Sequence, residues 1–164
     1  IGFMVLDYFA ERNNLDFSKN KFNGNYTEFK IENEKVLLLK PLSYMNLSGE
    51  VVKKYVDFFK IPVSDILIIH DDLDINIGKY KLKEVGSSGG HNGLKNIELN
   101  LGTNKYKRMK IGISKDKNID TKDYVLGKFT KDEKDLIQPI IDKMPNILED
   151  YLKLSFDHVM NKYN

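Results

Sequence analysis

Four apolar residues in a row, Ile66-Leu67-Ile68-Ile69, run directly into the charged stretch "HDDLD", His70 to Asp74. An unbroken run of this kind suits a strand buried on both faces, as in a parallel or mixed sheet. The patterns on either side alternate between two periods. Ile1 to about Arg12 reads as a helix, and "YTEFKI" and "KVLLLK" read as two strands joined by a turn. Ser48 caps a helix over Gly49 to Lys60, where Val52, Tyr55, Val56 and Phe59 share one face. "GKYKLKE" is a further strand, a glycine-rich loop opens a helix from about His91 to Asn100, and "YKRMKIGI" is another strand. From about Thr130 the chain is mostly helical, with Pro139 and Pro145 marking starts or bends. Strands and helices in this alternation predict an α/β fold: a single three-layer domain over residues 1–164, with a mixed twisted β-sheet flanked by helices.

Composition narrows the function classes. A chain of 164 residues with 41% hydrophobic and 30% charged residues is an ordinary globular domain. The absence of cysteine excludes disulfides, thiol nucleophiles and thiolate metal sites. No apolar run approaches membrane-spanning length. A net charge of +2 does not announce a nucleic-acid partner, so a basic patch must show in the distribution. The chain starts at Ile1 inside an amphipathic pattern with no cap in front of it, which reads as a cut start.

The loop "VGSSGGHNGLKNI" (Val85 to Ile97) has its glycines at 86, 89, 90 and 93, a spacing that fits neither the phosphate-loop nor the dinucleotide fingerprint. A flexible loop leading into a helix is one reading. The other starts from the free N–H groups of a helix N-terminus and the amide of Asn92, which donates and accepts at once and suits a carbonyl-bearing ligand. Two basic strands bracket the loop. Lys79, Lys81 and Lys83 point to one face of the first, and Arg108 and Lys110 share a face of the second. These are either solvated strand faces or a phosphate track whose natural occupant is nucleic acid. The "HDDLD" carboxylates lie at the end of the apolar strand, where open α/β sheets bind ligands. They suit a metal, a histidine to be oriented, or a solvated turn. His70 beside a buried run reads as a structural histidine, His158 as a surface one, and Met45 on its own as core filling.

The segments "KPLSYMNLSG" (Lys40 to Gly49), "HDDLDINIGKYKLK" (His70 to Lys83) and "GSSGGHNGLKNI" (Gly86 to Ile97), in this order, resemble the bacterial-type peptidyl-tRNA hydrolases. "GTNKYKRMKIGI" and "DYVLGKF" extend the likeness toward the late helices. The resemblance implies hydrolysis of the ester between a peptide and the 3′-terminal ribose of tRNA, which releases the tRNA for reuse. It implies a cytoplasmic monomer on a mixed α/β sheet that recognises the tRNA 3′ end and acceptor stem without metal or cofactor. By position, Asp71 orients the catalytic histidine and stabilises its protonated form. Asn46 and Asn92 hydrogen-bond the substrate around the scissile carbonyl, and Tyr44, Met45 and His91 line the site. Lys83 and Lys110, with Lys81 and Arg108 beside them, hold the tRNA phosphate. Lysine at 110, where the family often has arginine, keeps the charge and loses the bidentate fork.

One departure accompanies the likeness. In the family a segment of the form G-x-x-N-P-G-x-x-Y-x-x-T-R-H-N, carrying the general-base histidine, stands before the "IGFMV" with which this chain opens. Roughly twenty residues, about a strand and a loop, are therefore expected to be missing. Neither His70 nor His91 corresponds to that base. Three other readings stay open: a non-catalytic tRNA- or RNA-binding paralogue, a metal-dependent hydrolase built on Asp71, Asp72, Asp74 and His91, and an α/β domain for an unrelated small ligand.

Overall fold

The computed structural model describes residues 1–44, 47–86, 88, 90–114 and 129–164. Met45 and Asn46, Ser87 and Gly89 of the glycine loop, and most of "DYVLGKF" lie outside the described residues. The fold is α/β. Its elements are α1 (Gly2–Arg12), β1 (Lys19–Lys21), β2 (Gly24–Ile31), β3 (Glu34–Pro41), α2 (Ser48–Phe59), β4 (Leu67–Asn76), β5 (Tyr80–Lys83), α3 (Asn92–Leu101), β6 (Lys107–Ser114), α4 (Lys131–Lys153) and α5 (Phe156–Tyr163).

Contacts group the chain into two compact units. One comprises Ile1–Phe9, Ile69–Lys83 and Arg108–Asn164, and the other comprises Ala10–Ile68 and Glu84–Lys107. The first unit is organised on the sheet β4-β6-β5. β5 and β6 run antiparallel, with Lys81 opposite Lys110 and Lys83 opposite Arg108. β4 and β6 run the same way, because Lys107 N–H bonds the Ile66 carbonyl at their starts and Ile77 N–H bonds the Ser114 carbonyl at their ends. The sheet is therefore mixed. α1 begins hard against it, since a Cβ on Gly2 would stand 2.5 Å from the Ile69 carbonyl oxygen.

Burial departs from the pattern expected for the apolar run. β4 is mostly half-buried, and the run continues as strand through Asp71 to Asn76, so the carboxylates stand within the strand and not past its end. The strand closed on both faces is β6, where Arg108, Met109, Ile111, Gly112 and Ile113 are all buried. Among the described residues β6 has a strand on each side, whereas β4 has one on a single side. α4 also runs through both prolines where starts or bends were expected. Each proline forgoes one helical hydrogen bond. A continuous buried face of Ile137, Ile140, Ile141, Met144, Ile147 and Leu148, and a Thr130–Glu133 capping box at its start, keep the helix whole.

The second unit joins an antiparallel sheet, β1-β2-β3, to α2 and α3. Glu32 and Asn33 both take positive φ (50° and 69°), the geometry of a two-residue hairpin turn between Ile31 and Glu34. Tyr26, Val51 and Tyr55 form one apolar cluster, and Val52, Leu94, Ile97 and Tyr106 form a second. The Tyr55 hydroxyl donates to the Lys21 carbonyl at 2.5 Å and lies 3.2 Å from that of Gly24, tying α2 to the β1–β2 turn. α2 ends as expected near Lys60, a left-handed residue, but Ser48 is its first helical residue and Leu47 occupies the N-cap without a side-chain bond.

Candidate active site

In the sheet-centred unit, three neighbouring strands carry the charged candidates. β4 holds Asp71 and Asp72, β5 holds Lys81 and Lys83, and β6 holds Arg108 and Lys110. The register sets Lys81 across from Lys110 and Lys83 across from Arg108, so all four share one face of the β5–β6 pair. They are not equally available. Lys81 is exposed and Lys83 half-buried, while Arg108 is 0% exposed. Arg108, on the middle strand, is enclosed and not displayed.

Lys110 has its own counter-ion. Its ammonium lies 3.6 Å from Asp72 Oδ2, each side chain 15% exposed. The other Asp72 oxygen accepts the Asp74 N–H at 2.8 Å, which fixes the carboxylate in place. Asp71, on the same strand, is half-buried. His70 is buried, with Nδ1 2.7 Å from the Asp71 carbonyl oxygen. Nδ1 therefore carries the proton and donates it, which is the structural role expected of this ring. β5 is steadied on its backbone by Asn164, whose side-chain amide accepts from the Leu82 N–H at 2.9 Å and donates to the Leu82 carbonyl at 3.0 Å. One amide thus takes the place of a neighbouring strand.

The other unit presents helix starts. His91 is the N-cap of α3 (φ −80°, ψ 108°), and its Nδ1 accepts the Leu94 N–H at 3.2 Å. An accepting Nδ1 is unprotonated, so the ring's proton sits on Nε2 as a donor. Asn92 is the first helical residue, and it borders an open cavity of about 390 Å³ together with Lys95, Asn96 and Leu99. The glycine loop thus delivers His91 and Asn92 to a helix N-terminus, as the sequence pattern implied. Tyr44, 83% exposed, stands between β3 and α2, and its carbonyl accepts the Leu47 N–H at 2.8 Å. Asn46 and Met45 lie outside the described residues.

Among the described residues no three carboxylate or imidazole groups are set to hold a metal ion, and no helix is long and apolar enough to cross a membrane. Two partners escaped sequence reasoning. Asp72 binds Lys110 from the strand next to it, and Asn96 accepts the Gly49 N–H at 2.7 Å. The only local sign of the second is an asparagine in mid-helix, where it is a poor helix former.

Residues 1–164 match the sequence model of a family described as peptidyl-tRNA hydrolase. The chain belongs to the peptidyl-tRNA hydrolase family. The peptidyl-tRNA hydrolase of Clostridium novyi (strain NT) is 40% identical over 164 residues, which is all of this chain and 87% of that protein. That of Clostridium botulinum (strain Eklund 17B / Type B) is 44% identical over 164 residues and is covered to 85%. The crystal structure of peptidyl-tRNA hydrolase from Acinetobacter baumannii superposes with a TM-score of 0.91 at 32% identity, over 99% of this chain and 83% of that one. The family carries the same α/β fold and mixed sheet described above.

Proposed function

We propose that this chain hydrolyses the ester joining a peptide to the 3′-terminal ribose of tRNA. Water adds to the ester carbonyl, the C–O bond to the ribose breaks, and a peptide acid and a free tRNA 3′-hydroxyl leave. The observation that carries this reading is the unbroken likeness to peptidyl-tRNA hydrolases from residue 1 to residue 164, at 40–44% identity to several of them.

In this reading Asn92, at the first turn of α3, donates to the scissile carbonyl or the peptide backbone, and Asn46 does the same from the segment before α2. His91 offers its Nε2–H, while Tyr44 and Met45 line the peptide's path. Lys81, Lys83 and Lys110 hold the phosphate of the tRNA 3′ end and acceptor stem. Asp71 orients the histidine that activates water, which supplies a typical factor of about 10²–10⁴. That base is none of the histidines in residues 1–164. His70 is buried with Nδ1 on a carbonyl, His91 spends its Nδ1 on the α3 cap, and His158 is exposed on α5. We assign it to residues preceding Ile1. The enzyme acts as a cytoplasmic monomer and needs no cofactor.

The test is hydrolysis of an N-blocked aminoacyl-tRNA by residues 1–164, beside a form extended with the family's preceding segment. Activity confined to the extended form supports the assignment of the base. Equal activity in both refutes it and turns attention to His91. tRNA binding without cleavage in either form favours a non-catalytic RNA-binding protein of this fold.

A further inference from the structure

α2 begins at Ser48. Leu47 holds the N-cap position and makes no side-chain bond to the first amides of the helix. Those N–H groups must be satisfied from elsewhere. One is met by another helix: the Gly49 N–H donates to Asn96 Oδ1 of α3 at 2.7 Å, across 47 residues of sequence. The two backbones touch at this point. A Cβ on Gly49 would overlap the Asn96 carbonyl and stand 2.6 Å from the Ile97 nitrogen, so only glycine fits. Ser48 and Gly49 are both buried there. Asn96 is itself held, because Asn100 Nδ2 donates to its carbonyl at 2.9 Å.

Asn96 also has informative neighbours. It follows Asn92 by four residues, so the two lie on the same face of α3 one turn apart, and both border the open cavity. One side chain thus links the helix that starts with Asn92 to the start of α2.

We infer that Asn96 is a positioning residue, which caps α2 from α3 and thereby holds the first turn of α3, with Asn92, against the start of α2. The inference rests on the ester hydrolysis proposed above, in which Asn92 binds the reacting end. Donors aimed at developing charge act only when held in place before the reaction, and a misplacement of about 1 Å costs on the order of 100-fold. The requirement at position 96 is an oxygen that accepts. Aspartate supplies one at the same reach and adds a charge favourable at a helix N-terminus. Leucine fills the same space and supplies none.

The test compares Asn96→Asp and Asn96→Leu with the unsubstituted full-length protein. Steady-state cleavage of an N-blocked aminoacyl-tRNA is read together with amide hydrogen exchange at Gly49. Asn96→Leu is expected to lower kcat at least about tenfold, leave KM within about twofold, and speed exchange at Gly49. Asn96→Asp keeps kcat within about threefold and keeps the amide protected. The inference is overturned if Asn96→Leu retains kcat or leaves Gly49 protected, or if Asn96→Asp falls as far as Asn96→Leu. It is also overturned if the loss of kcat merely follows the folded fraction measured by circular dichroism. Absence of cleavage by the unsubstituted protein sinks the functional reading itself, and that arm alone distinguishes the two failures.

Discussion

The two compact units carry different chemistry on different kinds of element. In one, ionic side chains stand on the strands β4, β5 and β6, where the two-residue period and the β5–β6 register place Lys81, Lys83 and Lys110 on one face. In the other, polar groups sit at helix starts: the His91 ring and the Asn92 amide on α3, with Asn96 joining α3 to α2. Charge acts over about 8–10 Å in salt solution and tolerates loose placement. An amide hydrogen bond fades within a few tenths of an ångström beyond its optimum. The helix-start unit accordingly carries caps, an interhelical bond and a backbone contact that admits only glycine. A long flexible lysine needs no such framing. The difference predicts that substitutions in the helix-start unit damage turnover, whereas those on the strands damage affinity.

The largest effect expected from this division is at Asn92. Asn92→Ala lowers kcat on peptidyl-tRNA by about 10²-fold, the typical loss for one preorganised donor, with the Kd for uncharged tRNA unchanged. Steady-state kinetics beside a tRNA-binding titration checks both halves. Weakened tRNA binding at unchanged kcat would remove the distinction between the units. Lys110→Gln is the converse case. It weakens tRNA binding about tenfold at low salt, lowers the slope of log K against log salt by about 1, and leaves kcat at saturation alone.

How far the sequence discloses these two regions follows from the range of the interactions involved. The helix start at His91 is legible because glycines, a capping residue and an apolar period are all local signals. The strand lysines are legible because alternation is local too. Arg108 has the same alternation as Lys110, yet it is enclosed, since only the order β4-β6-β5 makes its strand the middle one. Asn96 and Asp72 are illegible for a related reason. Their partners, Gly49 and Lys110, lie 47 and 38 residues away, and no local pattern states which side chain meets which. The prolines of α4 mislead in the opposite direction, because a local break signal yields to a long buried face.

Stability sharpens the contrast at a smaller scale. Burial, aided by the neighbouring Tyr26, pushes the Tyr55 phenol from 10 up to about 12, against the lowering effect of its bond to the Lys21 carbonyl. A folded-state pKa above the unfolded one means the folded protein keeps a proton that the unfolded chain releases. The Tyr55 contribution is therefore complete below about pH 10 and is lost as the pH rises toward about 12. Tyr55→Phe costs about 1 kcal/mol at neutral pH, because the Lys21 and Gly24 carbonyls lose their donor. It also removes part of the alkaline loss, leaving the share of Tyr80 and Tyr163, whose pKa values burial likewise raises. Urea unfolding of both proteins at neutral and alkaline pH measures the two effects together.

The smallest effect probes the strand side from its acidic neighbour. Asp72 lies 3.6 Å from the Lys110 ammonium and offsets part of the charge that a phosphate would meet. Asp72→Asn keeps the shape and removes that offset, so tRNA binding tightens about threefold at low salt and its salt dependence steepens. The same change leaves a largely enclosed ammonium without its counter-ion, which costs about 1 kcal/mol of stability on a pair that is 15% exposed on each side. Affinity and stability thus move in opposite directions. Asp72→Asn in a Lys110→Gln background separates the causes: with the cation gone, loss of the carboxylate leaves stability unchanged and affects binding only through its own repulsion of phosphate. A double variant that binds tRNA as tightly as Asp72→Asn alone shows that Lys110 takes no part in holding the phosphate, and the strand face then rests on Lys81 and Lys83.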